Sequence, residues 1–101
     1  MQYTMLLNWR PTATRQEREA ALMRRAQWQY PKGVEVLGEY WLGTEHPAVV
    51  SHFETDDFGA VMEIQFTWGD VFEISVHPSV TPQEGLKLGP EAMAKAQAYL
   101  T

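Results

Sequence analysis

The stretch Ser51-His52-Phe53-Glu54-Thr55-Asp56-Asp57, followed by an apolar helical pattern over residues 58–68 and by Val71-Phe72-Glu73-Ile74-Ser75-Val76-His77-Pro78, decides the fold. A β-branched and aromatic segment runs into Thr55, Asp56 and Asp57, whose short oxygen-bearing side chains satisfy the free amides of a helix start. The helical pattern gives way at Gly69-Asp70 to a segment that alternates apolar and polar residues, so the whole reads strand, helix, strand. Phe72, Ile74 and Val76 share the apolar side of that last strand, and Glu73, Ser75 and His77 share the other.

Upstream, residues 48–54 are expected to be the returning arm of a hairpin. Gly43-Thr44-Glu45-His46-Pro47 supplies its turn, and residues 34–42 alternate before it. In that earlier strand Val34, Val36, Tyr40 and Leu42 are expected on the core side, with Glu35, Leu37, Glu39 and Trp41 on the other. Further back, Tyr3, Met5, Leu7 and Trp9 make the core face of a first strand, and Thr4, Leu6 and Asn8 its opposite face. Thr14 and Glu17 have capping-box spacing for a helix that ends before Pro31-Lys32-Gly33. Its pattern turns Ala21, Leu22, Ala26 and Trp28 inward and Arg15, Glu19 and Arg24 outward. The second helix is expected to bury Val61, Met62, Ile64 and Trp68, with Phe58 and Phe66 at its margins. Thr81-Pro82-Gln83-Glu84 then starts a helical tail over residues 81–101, and Gly89-Pro90-Glu91 is read as opening a further helix within it.

The order βαββαβ plus this tail predicts one α+β domain over residues 1–101, a ferredoxin-like sandwich with helices on one face of the sheet. The uncovered face would carry Leu6, Leu37, Trp41, Val50 and Val71, too much apolar surface to leave in water. A homodimer that pairs these faces into a closed α/β barrel is therefore expected. Its interior would also receive Asn8, Glu35, Glu39, His52, Glu54, Glu73, Ser75 and His77.

Composition narrows the function classes. A chain of 101 residues, 45% of them hydrophobic, supports one core and argues against disorder. A formal net charge of −5 repels phosphate backbones, and basic residues gather only at Arg15, Arg18, Arg24 and Arg25, so nucleic acid is not an expected partner. The absence of cysteine removes disulfides, thiolate nucleophiles and cysteine-bound metals, and suits the cytoplasm. Neither a signal-peptide pattern at the first residues nor an apolar run of about 20 residues is present, so no membrane association is expected.

At Lys32-Gly33-Val34-Glu35-Val36-Leu37-Gly38, Phe53-Glu54-Thr55-Asp56-Asp57, Trp68-Gly69-Asp70-Val71-Phe72-Glu73-Ile74 and Pro78-Ser79-Val80, the chain resembles the small bacterial family catalogued as domain of unknown function 3303. The resemblance spans most of residues 2–85. It implies a dimeric α/β barrel of the ferredoxin-like kind and no established activity. It also implies a Trp-His pair at the end of the second strand, where this chain has Tyr40-Trp41.

Among candidate site residues, Glu54 and His52 share the face away from the helices, as a carboxylate base or anchor beside a proton partner. His77 joins them from the last strand, Asn8 from the first, and Trp41 is the aromatic wall of a pocket that would hold a small apolar or aromatic ligand. Catalytic candidates are thus Glu54, His52 and His77, and ligand-binding candidates are Trp41, Asn8, Glu54, His52 and His77. A Ser75-His77-Glu73 triad fails because alternate strand residues lie about 7 Å apart and no nucleophile elbow is present. No HxH or HExxH spacing supports a metal, and no cofactor is expected. The leading expectation is a small-molecule-binding homodimer. The alternatives are a cofactor-independent monooxygenase- or isomerase-like enzyme, on fold analogy, and a purely structural dimer.

Overall fold

The computed structural model describes residues 1–100, which form β1 (Gln2–Trp9), α1 (Arg15–Gln27), β2 (Glu35–Trp41), β3 (Val49–Glu54), α2 (Phe58–Trp68), β4 (Phe72–Ser79) and α3 (Pro82–Leu100). The strands build one antiparallel sheet in the order β2-β3-β1-β4, with β2 and β4 at its edges. This is the ferredoxin-like α+β architecture that the alternation and the helix-start signals predict.

Local chemistry sets the boundaries. Thr14 Oγ1 accepts from the Glu17 amide at 3.1 Å while Glu17 Oε1 accepts from the Thr14 amide at 3.0 Å, which closes the capping box of α1. Asp57 caps α2 by accepting from the Gly59 amide at 2.9 Å, and Thr81 Oγ1 accepts from the Glu84 amide at 3.2 Å to start α3. Between α1 and β2 the chain turns through Gly33 at φ +89°, a left-handed conformation that any side chain would strain.

α1 and α2 cover one face of the sheet. There Met5, Leu7, Phe53 and Phe72 meet Ala21, Val61, Ile64 and Trp68, and Met5, Phe53 and Val61 are sealed from solvent. Each sealed side chain contributes roughly 1.5–3 kcal/mol of burial. Three arginines of α1 roof the aromatic rim of this core: Arg18 lies 5.1 Å from the Trp9 ring, Arg24 5.1 Å from Trp68 and Arg25 5.4 Å from Trp28. Each is also paired with an acid, Arg18 with Glu45, Arg24 with Asp70 and Arg25 with Glu39, while Arg15 pairs with Glu19. The basic cluster of α1 is therefore internally neutralised.

Several sequence expectations are corrected. The inward stripe of α1 is narrower than its pattern implies, with Ala21 buried, Leu22 half exposed, Ala26 outside and Arg24 half-buried against Trp68 and Asp70. In α2 the buried stripe is Ala60, Val61, Ile64 and Trp68. Phe58, Met62 and Phe66, spaced by four, fall on a neighbouring stripe open to solvent. Residues 82–100 form one unbroken helix across Gly89-Pro90 rather than two, and no residue of it is buried. Val71 belongs to the core rather than to the uncovered sheet face, because β4 begins only at Phe72 and strand parity does not reach it.

The largest correction lies in β2. Its register pairs Val36 with Phe53 but Gly38 with His52, which leaves Leu37 as an unpaired β-bulge residue. One extra residue inverts the facing of everything after it. Glu39 therefore pairs with Ser51 and Trp41 with Val49, both on the helix-covered side, whereas Tyr40 pairs with Val50 on the open side.

Candidate functional site

Two surfaces carry the chemistry-bearing side chains. On the open sheet face, His52, Thr4 and His77 lie in one row across β3, β1 and β4, which puts the two histidines roughly 10 Å apart at ordinary strand spacing. His52 Nε2 sits 3.1 Å from Gln2 Oε1, and His77 Nε2 sits 3.0 Å from Ser75 Oγ. Glu54 occupies the adjoining row, opposite both Gln2 and Glu35. Asn8 pairs with Glu73 at the other end of β1, about 13 Å along the strand from Thr4. An apolar row of Tyr40, Val50 and Leu6 separates the two ends, and the Tyr40 ring lies against Gly38, where an added Cβ would meet it at 3.1 Å. His52, His77 and Glu54 thus share one patch, Asn8 lies apart from it, and Trp41 is on the opposite side of the sheet. Among the described residues, no three metal-ligating side chains converge.

The second surface is a half-open cavity of about 160 Å³ between the sheet and the helices. Met5, Leu7 and Val49 line its floor, Ala21, Ile64 and Trp68 its roof, and Leu22, Trp41 and Leu42, each at least 41% exposed, its rim. Its walls are apolar except at one corner, where the bulge places Glu39 beside Ser51, and the end of α1 and the segment after it bring Arg25 and Tyr30 against them.

Glu39 organises that corner. Its Oε1 accepts from Tyr30 Oη at 2.6 Å and from Arg25 Nη2 at 2.9 Å, and its Oε2 accepts from Arg25 Nε at 3.1 Å and from Trp41 Nε1 at 2.8 Å. Partial burial works against the charge, yet the bonds from Arg25, Tyr30 and Trp41 outweigh it and hold the carboxyl below the usual range. Tyr30 responds in the opposite sense: burial first, then its bond to the Glu39 carboxylate, pushes the phenol up to about 12. Tyr30 Oη also lies 2.7 Å from Ser51 Oγ, and no buried side-chain polar atom among the described residues lacks a partner.

Glu39, Arg25, Tyr30 and Ser51 are the residues that sequence reading did not bring together. The signal that could have found them is Gly38, because an isolated glycine inside an alternating strand marks a bulge. Trp41, expected on the uncovered face, lies instead at the rim of this cavity and donates to Glu39.

No curated protein and no solved structure matches this chain. The family model described as a domain of unknown function (DUF3303) matches residues 1–93, a span that takes in the cavity, the open sheet face and the first turns of α3, and the chain belongs to that family.

Proposed function

We propose that this protein is a homodimeric binding module for a small, mainly apolar molecule. The cavity beneath α1 carries that reading: about 160 Å³ of space with hydrophobic and aromatic walls and one polar corner has the composition of a ligand pocket. Placing the ligand there, rather than between two sheets, follows from the bulge that turns Trp41 and Glu39 toward the helices. The open face, with Tyr40, Val50 and Leu6 in one apolar row, is the surface offered to a second copy. In such a dimer His52, His77, Glu54 and Asn8 would line the shared interface, where the enzymatic alternative would draw its proton-transfer groups. We assign the protein to the cytoplasm on the absence of cysteine and of any helix, among the described residues, long and apolar enough to cross a membrane.

Toluene is the probe for the pocket. Added to the isotope-labelled full chain, it should shift the amides of Ala21, Ala48 and Ser51, which border the cavity. The shifts should vanish in Ala21→Leu and Ala48→Leu, two independent plugs. Unmoved cavity amides, or folded plugged variants that respond as the parent does, overturn the binding role. Light scattering should give twice the protomer mass at micromolar concentration and a single protomer for Val50→Glu, whereas a protomeric parent overturns the dimer.

A further inference from the structure

The polar corner of the cavity is closed in charge but open in hydrogen bonding at Ser51. The Arg25 guanidinium and the Glu39 carboxylate neutralise each other in a two-pronged contact, and the remaining lone pairs of the carboxylate are taken by Tyr30 and Trp41. Neither charge is left to answer a charged ligand, and an unanswered charge in an apolar cavity is strongly disfavoured.

The protons can be counted. Tyr30 has one hydroxyl hydrogen and donates it to Glu39. In the 2.7 Å contact between Tyr30 and Ser51, the serine must therefore be the donor. Its only hydrogen is spent there, yet its Oγ keeps two lone pairs, on a side chain that borders the cavity and is 4% exposed. The corner thus offers the lone pairs of Ser51 beside a guanidinium that spends three of its five N–H groups, two on Glu39 and one on the Trp28 carbonyl. An O–H or N–H group brought to the serine finds a partner in those lone pairs, which an ether or an apolar substituent leaves unused.

Size supplies the remaining constraint. A sealed apolar cavity of about 150 Å³ takes a benzene ring, and this half-open pocket, at about 160 Å³, has room for one ring with its substituent. We infer that the ligand of this cavity is an uncharged aromatic of one ring that carries an O–H or N–H donor, a phenol or aniline by class. The inference deepens the binding role proposed above and rests on it.

Titration of the full chain with phenol, anisole, toluene, benzoate and benzylamine, followed at the cavity amides, tests both together. Benzoate and benzylamine should bind at least about tenfold more weakly than toluene, since their charges find no counter-ion. Ser51→Ala should lower the ratio of phenol to toluene affinity by about fivefold, the worth of one hydrogen bond, and leave toluene binding in place. Tyr30→Phe removes the acceptor of the serine hydrogen, so anisole should gain on phenol in that variant, which provides a second readout should Ser51→Ala fail to fold. A phenol-to-toluene ratio indifferent to both substitutions, or benzoate binding as tightly as phenol, overturns the inference and leaves the pocket standing. Cavity amides that move with none of the five overturn the binding role, and this inference with it.

Discussion

At the scale of single residues, Glu39 is the side chain on which most depends. It is only 15% exposed, stands in an edge strand and is tied to α1, to the segment after α1 and to its own strand neighbour Trp41. Glu39→Gln keeps the shape but removes the charge that Arg25 and Tyr30 answer, and should cost roughly 2 kcal/mol at neutral pH, the scale of hydrogen bonds to a charged group. The pH dependence has a fixed sign. The carboxyl titrates lower in the folded than in the unfolded chain, so its contribution is present above the ordinary carboxylate range and is lost as pH falls through the depressed folded value. Urea unfolding at a series of pH values should show the gap between parent and Glu39→Gln narrowing below about pH 4.5, near the unfolded carboxylate range. A gap that stays constant down to pH 3 would rule out an ionised Glu39 as the source.

At the scale of elements, β2 separates what sequence patterns convey from what they hide. The capping box, the other helix caps and the alternating strands are local signals, each spelled out within four or five residues, and they yielded the element order and the facing of β1, β3 and β4. The facing of Glu39 and Trp41 depends instead on how β2 is matched to β3, a relation between strands that no local pattern contains. A single unpaired residue, Leu37, was enough to move both to the other side, and with them the whole candidate pocket. Deleting Leu37 should therefore be tolerated, because Val36 and Gly38 already pair with consecutive residues of β3 and the ladder would simply become regular. The variant is expected within about 1 kcal/mol of the parent, as for an ordinary surface change. It should keep the tyrosine ionisation near pH 12 that reports the Tyr30–Glu39 bond. Deleting Tyr40 instead turns Trp41 to the opposite face, and that variant should lose the Trp41 bond to Glu39 and its share of the pocket rim. Equal losses of stability from the two deletions would contradict the bulge assignment. The arginines of α1 make the same point in another way, since their clustering in sequence conceals that each has its own acidic partner across the fold or along the helix.

At the scale of the whole molecule, the helical layer and the open face give the sheet two separate sides, one flooring a half-open cavity and the other presented outward. The molecule measures 56 × 29 × 22 Å, and α3 projects with none of its 19 residues buried. Leu86, Met93 and Leu100 recur along it at intervals of seven, each at least 72% exposed, while Gly85, Gly89 and Pro90 weaken it from within. A proline inside a helix costs about 3 kcal/mol and each glycine about 1, more than intrinsic propensity returns over so short a segment. In dilute protein, deuterium should therefore enter the amides of residues 91–100 within about tenfold of the rate for an unstructured peptide, while those of Met5 and Phe53 wait for global opening. If a second copy clasps the helix, that exchange slows as concentration rises, and this tail becomes a built-in gauge of how crowded the protein is with its own kind.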